Sequence, residues 1–121
     1  MARHNETGKA GEAEAVRYLE SIGHQILERN YRFGRAEIDI ISLHRGLLIF
    51  TEVKTRKNNR YGYPEEFVDN RKIRLIKQAA EEYVYRTGWQ GELRFDIIAF
   101  TVSHKGKALR HIPDAFFYEA E

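Results

Sequence analysis

The sequence predicts an α/β domain, a mixed central sheet with helices packed against it. Three observations predict it. Two amphipathic stretches, one near the N-terminus and one past the middle of the chain, repeat apolar residues at helical spacing. Three strand-like runs lie between them and two follow. The second and third runs are joined by so short a turn that they must form an antiparallel hairpin, which makes the sheet mixed. With 121 residues, 42% of them hydrophobic, the chain can bury a core of its own, and residues 1–121 are read as one domain.

The first helix is expected from Thr7, as its N-cap, to a stop at Gly23. Its apolar stripe is Ala15, Val16, Leu19 and Ile22. Glu12 lies three and four positions before Ala15 and Val16, so this carboxylate faces inward. Strands are expected at residues 25–31, 36–43 and 47–55, with His44, Arg45 and Gly46 turning between the last two. Residues 56–66, RKNNRYGYPEE, read as a basic loop rich in turn formers. A second helix over residues 69–86 offers Ile73, Ile76, Ala80, Tyr83 and Val84 to the core. A strong strand, ELRFDIIAFTVSH, then turns through Lys105 and Gly106 into a last strand that ends near Pro113. In the tail, Phe116, Phe117 and Tyr118 suit either the core or a partner.

Composition narrows the function. There is no cysteine, which removes disulfide and thiol chemistry and fits a reducing compartment. No apolar run approaches the roughly 20 residues of a membrane span, and the N-terminus lacks a signal-peptide core, so a cytoplasmic protein without membrane contact is expected. The net charge is only +2, yet residues 54–77 hold eight Lys or Arg against three acids, leaving the rest of the chain at −3. That local excess can attract phosphates, although a basic run is also an ordinary solvated face.

The chemistry concentrates in GRAEIDIISLHRGLLIFTEVKTR, where Glu37, Asp39, Glu52 and Lys54 interrupt two apolar strands. Charges placed there must be solvated, paired or bound, since an uncompensated buried charge costs several kcal/mol. Alternation puts Glu37 and Asp39 on one face and Ile38 and Ile40 on the other, and Glu52 and Lys54 likewise share a face. If the hairpin brings these faces together, Asp39, Glu52 and Lys54 cluster, with Glu12 approaching from the helix. Three carboxylates around one lysine suit a hard divalent cation, Mg²⁺ or Mn²⁺, that completes its shell with water and substrate phosphate. Such an ion polarises a phosphoryl oxygen and acidifies water for in-line attack, while the lysine stabilises developing charge. A lone Glu-x-Lys is more often a structural ion pair; the combination with Asp39 and Glu12 favours the site.

Ile38–Asp39 followed by Glu52–Val53–Lys54 resembles the PD-(D/E)-x-K signature of restriction-endonuclease-like nucleases. Together with GKAGEAEAVRYLESIGHQILERNYR, AEIDIIS, FTEVKTR, KIRLIKQAAEEY and RFDIIAF, it makes nearly the whole chain similar to the YraN-like family of small bacterial proteins, related to Holliday-junction resolvases. The resemblance implies a restriction-endonuclease-like αβββαβ core. It implies Asp39, Glu52 and the Val53 carbonyl as metal ligands, Lys54 as the catalytic lysine, and Glu12 as support for the metal, directly or through water. It further implies a metal-dependent endonuclease acting on branched or single-stranded DNA, and a homodimer. The alternative is a non-catalytic nucleic-acid-binding module of the same fold; a scaffold with purely structural charges ranks third.

Arg56, Lys57, Arg60, Lys72 and Gln78 are the expected nucleic-acid contacts. Tyr61 and Tyr63 interleave with the basic loop residues, suited equally to stacking on unpaired bases and to packing back on the sheet. Glu37 is either a further ligand or an ion-pair partner of Arg32 or Arg35. Asp96 is read first as a salt-bridge partner of Arg94 or another basic residue, and second as a site residue. His24, His44, His104 and His111 show no metal-box spacing.

Overall fold

The computed structural model describes residues 2–57 and 70–116, with side chains from residue 10 onward. The elements run α1 (Ala2–Ser21), β1 (Gln25–Phe33), β2 (Ala36–His44), β3 (Leu47–Arg56), α2 (Asn70–Thr87), β4 (Glu92–Ser103) and β5 (Gly106–Ile112). Between β2 and β3, Arg45 and Gly46 both take left-handed φ angles of 52° and 79°. Such a two-residue turn matches the twist of the flanking strands and fixes their register. The strands lie in spatial order β1-β2-β3-β4-β5. Only β3 and β4 are parallel, and α2 lies in the connection that a parallel pair requires. This is the restriction-endonuclease-like αβββαβ core, with β5 added at the edge.

Two apolar clusters hold the helices to the sheet. Ala15 and Leu19 of α1 pack with Ile40, Ile98 and Phe100, while Ile76, Ala79, Ala80 and Tyr83 of α2 pack with Ile38, Ile41, Leu48, Phe50 and Phe95. Fully burying a side chain of this size contributes about 1.5–3 kcal/mol. The α1 stripe differs from expectation at both ends. The helix already runs from Ala2, so Thr7 lies inside it rather than at its N-cap. Ile22 lies beyond the last helical residue and is 41% exposed. Near the site, Gly11 lets α1 come close to β3: a methyl group there would stand 3.1 Å from the Thr55 hydroxyl oxygen.

Strict alternation along β2 fails at one place. Ile38 and Ile41 belong to the α2 cluster, whereas Ile40 belongs to the α1 cluster. Regular pleating would give Ile38 and Ile40 the same neighbours. The break falls at Asp39, opposite a stretch of β1 where Asn30 takes a φ of 54° between the Arg29↔Ile40 and Tyr31↔Ile38 pairs. Asparagine tolerates this conformation better than most residues.

In the tail, Phe116 stacks on Phe95 with ring centroids 5.1 Å apart, and the Ala115 N–H donates to the Phe95 carbonyl at 2.7 Å. The tail therefore turns back onto the core; Phe117 and Tyr118 lie outside the described residues. Asp96 is a structural anchor, fully buried, accepting from Arg94 at 2.8 and 2.9 Å, from the Asp114 N–H at 3.1 Å, and pairing with His111 Nε2 at 2.8 Å. Burial alone would raise its pKa, but His111, Arg94 and the Asp114 N–H outweigh that and hold it low.

Beside this network, His24 stacks on His44 at 4.2 Å and hydrogen-bonds through Nδ1 to the Ser42 hydroxyl. Burial, followed by the neighbouring His44, lowers its pKa from 6.5 to about 4. An unfolded chain takes up this proton near 6.5 and the folded one only near 4, so acid favours unfolding. The unfolding midpoint is expected to fall as pH drops from 6.5 to about 4, and His24→Gln, which takes up no proton, is expected to flatten that part of the profile. Calorimetric melts across this window check it; a flat parent profile contradicts a buried neutral His24.

Candidate active site

Hairpin pairing between β2 and β3 runs from His44↔Leu47 to Ile40↔Thr51 and stops there. The next residue on each strand is a carboxylate, Asp39 and Glu52, so the acids stand where the two strands part. Asp39 Oδ2 takes the Val53 N–H at 2.8 Å, satisfying a backbone donor freed by the parting strands. Meanwhile β3 stays paired with β4 through Arg56. One rigid strand thus carries Glu52 and Lys54 past an opening.

Glu52 is only 5% exposed. Its Oε2 has no hydrogen-bond partner, and the nearest cation, Lys72 Nζ, stands 3.6 Å away. Burial first, then its hydrogen bond with Asp39 and the charge of Asp39, push its pKa up to about 9. Lys72 and Lys54 act in the opposite sense without prevailing. In the metal-free protein, then, Glu52 holds its proton well above the usual carboxylate range, because its burial and the acid beside it both oppose ionisation.

Lys54 and Lys72 complete the cluster from β3 and α2. Burial, then the adjoining Lys72, pull the Lys54 ammonium below its ordinary range. For Lys72, burial also works downward, but Glu52, Lys54 and Asp39 together outweigh it and its pKa rises. On the α1 side, the Asn30 amide, in the orientation that satisfies its neighbours, donates to both Glu12 oxygens at 2.7 and 3.1 Å and to Glu37 at 3.0 Å. Glu12 is half-buried, and burial, then the charge of Asp39, raise its pKa. Among the described residues, no three His, Asp or Glu side chains are grouped closely enough to hold a metal by themselves.

The structure brings Asp39, Glu52 and Lys54 together, while Asn30 joins Glu12 to Glu37 on the α1 side, where the Asp39 charge acts on Glu12. Glu37 also pairs with Arg32 at 3.4 Å. Lys72, expected as a phosphate contact, reaches into the acid pair itself. The other expected contacts are dispersed. Arg56 is half-buried at the end of β3, Lys57 lines a separate cavity with Val102, Ser103 and His104, and Gln78 is exposed on α2. Arg60, Tyr61 and Tyr63 fall outside the described residues. Where the signature has proline, Ile38 is buried in the α2 cluster, so this position serves packing.

Sequence reasoning missed Asn30 and Arg71. Asn30 is flanked by charged and aromatic strand residues, and only its left-handed φ marks it. Arg71 stands one residue before Lys72, at the rim of a cavity of about 400 Å³ that opens beside the acid pair, between the start of β2 and α2. No helix among the described residues is long and apolar enough to cross a membrane.

Comparison with known proteins fits this layout. The profile of "Uncharacterised protein family UPF0102" matches residues 11–100, from Gly11 on α1 to Phe100 on β4. A UPF0102 protein of Cytophaga hutchinsonii is 49% identical over 81% of this chain and 87% of its own length. One from Christiangramia forsetii is 46% identical over 98% of this chain and 99% of its own, and one from Phocaeicola vulgatus 43% identical over 97% of each. With the match extending over most of both chains and including every element that carries the acid and lysine cluster, the chain belongs to the UPF0102 family, the YraN-like proteins.

Proposed function

We propose that this protein hydrolyses DNA phosphodiester bonds with the help of a divalent cation, Mg²⁺ or Mn²⁺, at Asp39, Glu52 and Lys54. One observation carries the reading: Glu52 Oε2 is buried without a hydrogen-bond partner beside a second carboxylate. A buried acid beside a half-buried one is a poor stabiliser, yet the pair fits a hard cation that takes one or two carboxylates and fills its shell with water and phosphate. When bound, the cation polarises a phosphoryl oxygen and acidifies a water.

The protein's own groups do the rest. The Val53 N–H fixes the Asp39 carboxylate, and the β3–β4 pairing holds Glu52 and Lys54 on one strand. Lys54, from the same strand as Glu52, donates to the phosphate as its negative charge grows. Asn30 holds Glu12 and Glu37 together, and Glu12, within the field of Asp39, would support the metal directly or through water. A non-catalytic DNA-binding module of the same fold is the reading left if cutting is absent.

Titration calorimetry with Mn²⁺ tests the ligand assignment. Asp39→Ala and Glu52→Ala are each expected to abolish the binding heat of the parent; unchanged binding in both would place the metal elsewhere. DNA binding should weaken with salt, with a slope of about −0.9 in log K against log salt for each duplex phosphate neutralised. Affinity unchanged from low to high salt contradicts the phosphate contacts.

A further inference from the structure

The cavity beside the acid pair has chemically different walls. Ala36, Leu75 and Ile76 supply an apolar surface, Arg35, Arg71 and Lys72 supply cations, and Glu37, Asp39 and Glu52 form its acidic side. Arg35 and Arg71 are both exposed, and neither is drawn into an ion pair with another described residue, whereas Lys72 is engaged with Glu52. Two guanidiniums are therefore available at the mouth. Glu52, whose buried Oε2 lacks a hydrogen-bond partner, is one of the residues lining the same cavity.

Its size selects what can enter. At about 400 Å³ the space lies toward the small end of the roughly 300–1,000 Å³ typical of small-molecule pockets. One nucleotide unit fits such a space; a base pair with both its strands does not. Guanidinium planes bind phosphate through paired donors and also stack on bases, and an aliphatic wall accepts the face of any base. Enzymes that do chemistry on a single base take it out of the stack into such a pocket, which shows that one unpaired nucleotide can be held this way.

We propose that this cavity receives one unpaired nucleotide adjoining the scissile phosphate, with its base against Ala36, Leu75 and Ile76 and its phosphate between Arg35 and Arg71. The preferred substrate class is then DNA that presents an unpaired nucleotide, and fully paired duplex is disfavoured. This rests on the nuclease reading for the identity of the neighbouring phosphate, but the pocket can be tested without any cutting.

The test is fluorescence anisotropy of a short labelled thymidine oligonucleotide in the presence of chelator, with the full-length protein. Three results are expected. The single strand binds more tightly than the same strand annealed to its complement. Arg71→Ala weakens the single-strand complex roughly tenfold or more, the loss of charge-assisted hydrogen bonds, and changes the duplex complex much less. Thymidine monophosphate competes where inorganic phosphate at equal concentration does not.

Leu75→Trp, which fills the apolar side, gives an independent variant and should produce the same selective loss; circular dichroism confirms that both variants fold. Equal affinity for single strand and duplex, with equal sensitivity to Arg71→Ala, overturns the proposal. So does competition by inorganic phosphate as effective as by the nucleotide, which would reduce the cavity to an anion site. The two readings fail separately. Selective single-strand binding without metal-dependent cutting sinks the nuclease and keeps the pocket, while metal-dependent cutting indifferent to pairing and to Arg71 does the reverse.

Discussion

Lys54→Ala is expected to lower metal-dependent DNA cleavage by about 10²–10³-fold, the usual cost of removing one donor aimed at developing negative charge. Mn²⁺ affinity should persist, because the carboxylates remain. That separation is informative, since a lysine serving only as a structural counter-ion would affect binding and stability first. Lys54 is half-buried with Glu52, Asp39 and Lys72 as its charged neighbours. Lys72 keeps its own link to Glu52 in the variant, so the acid pair is not left without a cation. Single-turnover cleavage and metal titration, run on the same preparations, check both halves. Loss of metal binding together with activity would assign Lys54 to the architecture of the site instead.

Glu52→Gln is expected to stabilise the metal-free protein while removing its response to metal. The sign follows from the raised pKa. An unfolded Glu52 ionises near 4.5, whereas the folded one stays protonated up to about 9, so between these values the unfolded state is favoured by the lost proton. Stability contributed by the protonated form is fully present below 4.5 and lost as pH rises through about 9. Glutamine carries no such burden and retains an amide that can donate to Asp39. A gain on the order of 1–3 kcal/mol is expected near pH 8, the scale for relieving an unsatisfied buried polar group. Calorimetric melts with chelator and with excess Mn²⁺ give the contrast. The parent should melt higher with metal, by mass action on the folded state, and the variant should melt at the same temperature in both. A variant less stable than the parent with chelator present would mean that Glu52 is a structural partner of Lys72.

Burying an acid beside another lowers stability, and the same arrangement shaped what the sequence could reveal. The elements were legible because their patterns are strong and local: the Arg45–Gly46 turn, the apolar β4 run, and the spacing of Ile76, Ala80 and Tyr83. The grouping of Asp39, Glu52 and Lys54 was legible because a short hairpin leaves little freedom of register. Helix ends were less so. Exposure of Ile22 depends on α1 stopping at Ser21, and the early start at Ala2 depends on helix-forming residues ahead of Thr7 overriding a capping signal.

Other features needed three dimensions. Alternation assigns Ile38 and Ile40 to one face, but the strand breaks that rule at Asp39, beside the left-handed Asn30. No local pattern announces such a break, which depends on two strands at once. Lys72 reads as a helix lysine that meets phosphate or faces solvent, and it joins the acid pair only because α2 crosses near the point where β2 and β3 separate. Asp96, in contrast, was legible as a partner of Arg94, two residues away on the same strand; its bond to His111, fifteen residues on, was not.

The most direct test of the central claim is cleavage of labelled single-stranded, duplex and four-way-junction DNA by the parent protein with Mg²⁺ or Mn²⁺, and again with chelator, alongside Asp39→Ala. Cutting of at least one substrate that requires the ion and is absent in the variant is expected. If folded protein binds these DNAs yet cuts none of them with either ion, the account is contradicted, and the acid pair belongs to a module that binds DNA without hydrolysing it.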